Sequence, residues 1–213
     1  MQTPDQIKAE IEHRGWQTIA GFQTRNVPHL AHEYLIRLAL EQCDGVLIQP
    51  AVGRKLPGEY TSEAILTGWQ VLIVNYLPAD RIILDPLDVP SFYAGPDEAV
   101  VHAAIRRMYG CTHFVIGRDQ CGSGDRWGDC DAQDAVRDAN LGLQLICNPG
   151  PYWCSRCGTV VSARTCSHQD AGKPISGTQV RDALRAKCIP EFVRPEVVSA
   201  LFQLPKLFVE DTQ

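Results

Sequence analysis

Apolar residues recur along the chain with two different spacings, and the two spacings alternate. Short runs of consecutive apolar residues, typical of buried strands, occupy residues 16–22, 45–51, 81–85, 112–117 and 143–147. Apolar positions three and four apart predict helices at residues 4–14, 61–76, 131–141 and 195–201, and other helices begin near residues 28, 96 and 176. Alternating strands and helices pair in parallel through right-handed crossovers. The pattern predicts a doubly wound, Rossmann-like α/β fold with a parallel sheet of about five strands.

The turn between the first strand and its helix concentrates polar side chains. They are Gln23, Thr24, Arg25 and Asn26, followed by His29 and His32. Pro28 suits the first turn of a helix, which would leave Asn26 to cap it. His29 and His32 would then share one face of that turn, where unpaired N–H groups favour anions. We interpret the turn as a phosphate-handling site; a capped helix with two partly exposed histidines is the alternative.

Other segments predicted to lie near this turn could also bind an anion. The fourth strand leads into the glycine-rich stretch 117–124, whose backbone N–H groups could surround a phosphate, with Arg118 adding charge. Ser176 or Thr178 could cap a further helix. Ligands of such sheets bind beyond the carboxyl ends of the strands, so the first turn and the 117–124 loop should share one pocket. The loop at Arg54 and Lys55 could reach a triphosphate or be an ordinary basic surface loop.

Four residues between 152 and 170 have the spacing of a metal site. They are Cys154, Cys157, Cys166 and His168. Three thiolates and one imidazole can supply the four ligands of a tetrahedral structural zinc. A redox-active cysteine pair is the alternative, although such a pair normally sits at a helix N-terminus after the first strand. We expect a zinc knuckle inserted into one domain that spans residues 1–213.

Composition narrows the class of protein. The chain has 213 residues, of which 45% are hydrophobic and 21% charged, as expected for one globular domain. Its net charge of −5 argues against a nucleic-acid groove. We expect neither a nucleic-acid partner nor a membrane partner, because no signal-type segment and no long apolar run is present. Nine cysteines without a disulfide-like pattern fit the reducing cytoplasm.

Several separate motifs resemble the catalytic domain of ATP sulfurylase (sulfate adenylyltransferase), a member of the H-x-G-H nucleotidyltransferase superfamily. They are residues 23–26 with His29 and His32, Tyr-Ala-Gly-Pro at 93–96, Gly-Cys-Thr-His-Phe at 110–114, Gly-Arg-Asp at 117–119, and Ile-Ser-Gly-Thr-Gln-Val-Arg at 175–181. The cysteine knuckle is similar to a zinc-binding insertion in some bacterial members. The resemblance covers nearly the whole chain.

The resemblance implies a role for each motif. Gln23 and Arg25 would bind sulfate, and Thr24, Arg25 and Asn26 would form the catalytic turn. His29 and His32 would stabilise charge that develops on the phosphates. ATP would also meet residues of the first turn, the glycine-rich loop and the Ser176 helix, namely Gln23, Thr24, Asn26, Gly117, Arg118, Asp119, Gln120, Ser176 and Thr178. Magnesium is expected to accompany the triphosphate.

Three departures leave the acceptor open. The family's N-terminal domain, similar to RNA-binding PUA folds, is expected to be absent. Gln120 and Cys121 replace a histidine and an alanine, although the backbone N–H of Cys121 could still hold an oxyanion. Ser91 and Phe92 replace a Met-Arg pair. We therefore keep two alternatives: transfer from ATP or CTP to a different oxyanion, and an inactive nucleotide-binding subunit that needs a partner. A homo-oligomer is also left open.

Overall fold

The computed structural model describes residues 1–117 and 126–210 of the chain. Its main sheet has five parallel strands in the order β3-β2-β1-β4-β5. The strands are β1 (Ile19–Thr24), β2 (Gly45–Pro50), β3 (Ile82–Leu84), β4 (His113–Ile116) and β5 (Gln144–Cys147). The order reverses between β1 and β4, which makes their carboxyl ends the expected place for a ligand. The predicted doubly wound fold is confirmed.

Helices cover both faces of this sheet. They are α1 (Pro4–His13), α2 (Leu30–Leu40), α3 (Ser62–Tyr76), α4 (Pro96–Met108), α5 (Asp131–Asp138), α6 (Gly177–Arg185) and α7 (Pro195–Phe202). Alternate residues of β2 face opposite layers: Val46 and Ile48 pack with the α2, α3 and α7 side, and Leu47 packs with the α1 side. Burial on both faces explains why the strands read as continuous apolar runs. No helix in the described ranges is both long and apolar enough to cross a bilayer.

The first strand begins later than the apolar run predicted. The prediction placed it at residues 16–22, whereas β1 runs from Ile19 to Thr24. The carboxylate of Asp44 accepts the backbone N–H groups of Gln17 and Thr18, each at 2.8 Å, which keeps them out of the ladder. Trp16 packs instead against Gly45, where a Cβ would lie only 2.4 Å from its ring.

A second, smaller sheet was not predicted. It consists of β6 (Tyr152–Cys154), β7 (Thr159–Val161) and β8 (Gly172–Pro174) in the antiparallel order β7-β6-β8. This sheet contains the first cysteine of the predicted knuckle and lies between β5 and α6 in the chain.

Candidate functional site: a cavity at the ends of β1 and β4

A cavity of about 310 Å³ lies at the carboxyl ends of β1 and β4. Eight of the sixteen described residues that line it were predicted from the sequence to be site residues. They are Gln23, Thr24, Arg25, Asn26, His29, His32, Gly117 and Ser176. Gly117 thus shares one pocket with the first turn, as expected for the start of the 117–124 loop; the rest of that loop lies outside the described residues.

The helix after the first turn is capped by His29. Its backbone is extended, with φ −131° and ψ 172°, and its Nδ1 accepts the backbone N–H of His32 at 3.4 Å. The prediction that Asn26 caps this helix and that Pro28 lies in its first turn was wrong. Thr24 Oγ1 accepts the N–H of Asn26 at 3.1 Å, and the Asn26 carbonyl accepts the indole N–H of Trp69 at 3.1 Å. These bonds hold residues 24–26 in a turn of their own before the helix.

The two imidazole rings lie face to face. The ring centroids of His29 and His32 are 3.7 Å apart and their planes differ by 11°. Burial lowers the pKa of His29 to about 4, an effect that its backbone hydrogen bond only partly opposes. Burial, followed by the nearby His29, lowers the pKa of His32 well below its usual value. Both rings are therefore neutral at pH 7 and act as hydrogen-bonding groups rather than as cations.

The proton on His29 has a defined position. Because Nδ1 accepts a backbone N–H, the neutral ring carries its hydrogen on Nε2, where it can donate to a ligand. The Nδ1 atom of His32 is buried without a hydrogen-bond partner among the described residues. The histidine pair thus adds no net charge to the cavity, and His29 has an N–H at Nε2 that can donate.

Arg25 is the cationic residue among those that line this cavity. Its guanidinium carbon lies 4.1 Å from the centroid of the Tyr93 ring. Within residues 1–117 and 126–210, its guanidinium has neither a hydrogen-bond acceptor nor a carboxylate partner. The charge that an anion in the cavity would meet first is therefore that of Arg25.

The N-terminus of α6 lies beside the first turn. Ser176 caps this helix by accepting the N–H of Gln179 at 3.2 Å. Of the two caps predicted, Ser176 and Thr178, the first is therefore the one observed. Arg181 donates to Oδ1 of Asn26 at 3.4 Å, which ties the helix to the turn. Thr178 is exposed in the first turn of α6 and does not line the cavity. Its contact with a nucleotide remains a prediction.

Four predicted site residues fall outside the described part of the chain. They are Arg118, Asp119, Gln120 and Cys121. Their neighbour Gly117 does line the cavity. The basic loop after β2 can be placed: Arg54 is exposed, and the ammonium of Lys55 donates to the carbonyl of Ala51.

The predicted knuckle residues form one cluster. Ligand atoms of Cys154, Cys157, Cys166 and His168 all lie within 4.8 Å of one another. The Cys166 Sγ is 3.7 Å from the Cys154 Sγ and 3.6 Å from the Cys157 Sγ, and His168 Nδ1 is 3.5 Å from the Cys157 Sγ. Zn–S bonds of about 2.3 Å in a tetrahedron require S···S edges of about 3.8 Å. The donor set and its spacing therefore fit a metal such as zinc.

The small sheet connects this cluster to the cavity. Gly150 and Pro151, which line the cavity, lead directly into β6, and β8 leads directly into Ile175, which also lines it. β6 and β8 are paired, with Tyr152 opposite Pro174. Two segments of the cavity wall are thus held side by side by the sheet that carries Cys154 of the cluster.

Sequence reasoning missed two buried residues at the site. Glu98 is only 3% exposed and lines the cavity, although its position in the first turn of α4 suggested no more than a favourable helix-dipole contact. Trp69 is fully buried, with its ring centroid 5.8 Å from that of His32. The helical spacing identified Trp69 as a core residue but gave no sign of the site it supports.

Comparisons with known proteins agree with the geometry. A family profile described as ATP-sulfurylase matches residues 1–204. A sulfate adenylyltransferase of Symbiobacterium thermophilum is 42% identical over 207 residues, covering 94% of this chain and 53% of that protein. A sulfate adenylyltransferase of Deinococcus deserti is 43% identical over 206 residues, with the same coverage. The chain spans about half the length of the curated relatives it matches.

A solved structure described as a hexameric APS kinase from Thiobacillus denitrificans has the same fold. It superposes with a TM-score of 0.72 and 23% sequence identity, covering 95% of this chain and 39% of that one. At this identity, the likeness supports the arrangement of strands and helices alone.

Proposed function

The chain belongs to the ATP-sulfurylase family, and from that premise we propose that it transfers the adenylyl group of ATP to sulfate. A sulfate oxygen forms a bond to the α-phosphorus while the bond from that phosphorus to the pyrophosphate oxygen breaks. The products are adenylyl sulfate and pyrophosphate, and no proton has to move. Phosphoryl-type transfer of this kind depends on positioning and charge stabilisation more than on covalent help from the protein.

One observation carries the proposal. Among the described residues, the cavity combines one guanidinium without a carboxylate partner, that of Arg25, with two neutral stacked imidazoles and the N-termini of α2 and α6. Helix N-termini and imidazole N–H groups suit phosphate oxygens, and a guanidinium fork suits a tetrahedral oxyanion. The cavity can therefore bind phosphate groups through the helix N-termini and imidazoles, and a sulfate through the guanidinium.

The roles of the first turn follow from this division. Arg25 and Gln23 bind the sulfate, while Thr24 and Asn26 keep the turn in shape. His29 and His32 donate hydrogen bonds to phosphate oxygens, where negative charge grows as pyrophosphate leaves. Preorganised donors of this type are each worth on the order of 10² to 10³ in rate.

The proposed nucleotide contacts are with Gly117 and Ser176, which line the cavity. Thr178 is assigned to the nucleotide from the sequence, and so are Arg118, Asp119 and Gln120, which lie outside the described residues. The backbone N–H of Cys121 serves the acceptor. Magnesium enters with the triphosphate and neutralises part of its charge. Cys154, Cys157, Cys166 and His168 would hold a structural zinc, because these four residues could supply all four ligands of a tetrahedral site.

A different oxyanion is the second candidate acceptor. Phe92 is 65% exposed and adjoins Tyr93, so the segment beside Arg25 contributes an apolar ring and no second cation. Unlike sulfate, a phosphonate, a phosphate ester or a carboxylate carries an organic substituent, and an apolar substituent could pack against this exposed ring.

The experiment is a pyrophosphate-release assay with ATP and CTP against a panel of acceptors. We expect release that depends on ATP and sulfate, and its loss in Arg25→Ala with the melting temperature retained. Pyrophosphate release with a phosphonate, phosphate ester or carboxylate but not with sulfate would overturn the assignment of sulfate as the acceptor. Nucleotide binding without release for any acceptor would overturn the enzymatic proposal in favour of an inactive nucleotide-binding subunit.

A further inference from the structure

The face of the Arg25 guanidinium is occupied by an aromatic ring. The Arg25 Cζ lies 4.1 Å from the ring centroid of Tyr93, within the range of a cation–π interaction. Such stacking uses the flat face of the guanidinium and leaves its in-plane N–H groups free for a bidentate contact with an oxyanion. The ring therefore does not compete with an anion for Arg25; it limits the directions in which Arg25 can point.

The backbone of Tyr93 is held in an uncommon conformation. Its φ of +56° lies in the left-handed region, which a residue with a bulky side chain rarely adopts. The two oxygens of the Glu98 carboxylate accept the N–H groups on either side of it, those of Phe92 at 3.1 Å and Ala94 at 3.0 Å. Strain of this kind persists where the surroundings over-determine it, and it concentrates at functional sites.

The far end of the Tyr93 side chain is also fixed. Its hydroxyl donates a short hydrogen bond to Oε1 of Glu59. Oε2 of Glu59 accepts the backbone N–H of Leu56 at 2.7 Å, so the carboxylate is itself anchored to the loop after β2. The ring is thus held at both ends, by Glu98 through the backbone and by Glu59 through the hydroxyl.

We infer that Tyr93 is a positioning residue for Arg25, and that the Glu98–Tyr93–Glu59 assembly sets the affinity of the site for its oxyanion. The inference rests on the proposed function, because it assigns the acceptor to Arg25. The nucleotide contacts proposed above are assigned to the N-termini of α2 and α6 and to Gly117, and Tyr93 is not among the residues that line the cavity. We therefore expect the assembly to act on the acceptor more than on the nucleotide.

Two substitutions separate positioning from folding. Tyr93→Asn removes the ring but suits the left-handed backbone, so the fold should lose no stability from strain. We expect the KM for sulfate and its Kd in isothermal titration to rise by about 3- to 30-fold, the range of one cation–π contact. The KM for ATP and the melting temperature should change little. Tyr93→Phe keeps the ring and should restore most of the sulfate affinity.

A matched control exists elsewhere in the chain. Arg194 lies 4.2 Å over the ring of Tyr76, away from the cavity, so Tyr76→Asn removes a stack of the same kind. It should leave both KM values unchanged. Unaltered sulfate binding in Tyr93→Asn, or an equal weakening of ATP and sulfate, would overturn the inference while leaving the proposed function intact. Absence of sulfate binding in the unsubstituted protein would overturn both.

Discussion

The ring of His29 stacks on that of His32 with centroids 3.7 Å apart, and Nδ1 of the first ring accepts the backbone N–H of the second residue. His29 thus caps α2, stacks on His32 and lines the cavity. Its role as a cap requires a neutral ring, because a protonated Nδ1 could no longer accept the N–H.

The stability of the protein should therefore fall in mild acid through His29. Its pKa is lowered from 6.5 to about 4, so its contribution is complete above pH 6.5 and is lost as the pH falls toward 4. His29→Asn keeps a good cap without a titrating ring. Between pH 7 and 5, the free energy of unfolding in urea should drop by about 1–2 kcal/mol more in the unsubstituted protein than in the variant. Parallel pH curves would contradict this explanation.

Substitution of His32 should lower the catalytic rate and leave the protein folded. We expect His32→Asn to lower kcat by about 10²- to 10³-fold, because it removes a donor fixed by the ring stack and by Trp69. Stopped assays of pyrophosphate release at saturating ATP and sulfate measure the effect. Tyr34→Phe, two residues further along the same helix, is the control and should retain full activity. A variant with normal kcat would remove His32 from the proposed roles.

Loss of metal should weaken nucleotide binding as well as stability. Cys166→Ser breaks the four-ligand cluster, and β6 and β8 then no longer hold the cavity segments at Pro151 and Ile175. Ordering one residue costs about 1–2 kcal/mol, so the Kd for ATP should rise on the order of tenfold. Zinc content, melting temperature and calorimetric ATP binding are the measurements.

The control for this experiment is Cys188→Ser, an exposed thiol outside the cluster. It should retain one zinc per chain and normal ATP binding. A zinc-free Cys166→Ser protein that binds ATP normally would show that the knuckle and the cavity are independent.

Glu33 should be a major source of stability at the start of α2. Burial alone would raise its pKa, but hydrogen bonds from Arg194 and Arg37 hold the pKa below its usual value. Arg194 makes two contacts of 2.8 Å to the carboxylate. Glu33→Gln should cost about 2–3 kcal/mol in urea unfolding. The contribution is present above pH 4.5 and is lost as the pH falls below it.

An exposed ion pair provides the comparison. Glu191 contacts Lys173 at 3.0 Å with both side chains more than half exposed, so Glu191→Gln should change stability little. If Glu33→Gln and Glu191→Gln lowered the free energy of unfolding equally, the burial of Glu33 would not strengthen its ion pairs.

Elements with strong periodicity were predictable from the sequence, and so was the pocket. The continuous apolar run at residues 45–51 predicts a strand buried on both faces, and β2 is such a strand. The cap of α2 was predicted wrongly because local rules favour an Asn shortly before Pro as a cap. The side chain of Asn26 instead accepts from Arg181, 155 residues away, and its carbonyl accepts from Trp69, 43 residues away. No local pattern carries that information.

The small sheet and the support of Arg25 could not be predicted for a similar reason. β6, β7 and β8 have three residues each, too few to show alternation, and their pairing brings together segments that are distant in the sequence. Tyr93 is held against Arg25 by contacts with Glu59, in the loop after β2, and with Glu98, in α4. Only the folded chain brings these groups together.

The pairing of Tyr152 with Pro174 has a consequence for how the knuckle can be gained or lost. Partners across an antiparallel ladder lie about 5 Å apart, so the two ends of the intervening segment are neighbours. Residues 153–173 can thus be exchanged for a two-residue Asn-Gly turn without stretching the main sheet. Such a shortened chain should fold with a cooperative thermal transition in circular dichroism, and a failure to do so would show that the segment is indispensable. Cooperative folding of the shortened chain would show that the domain does not need the contacts that this segment makes with it, among them those of Ser162 with Tyr34 and of Trp153 with Phe192.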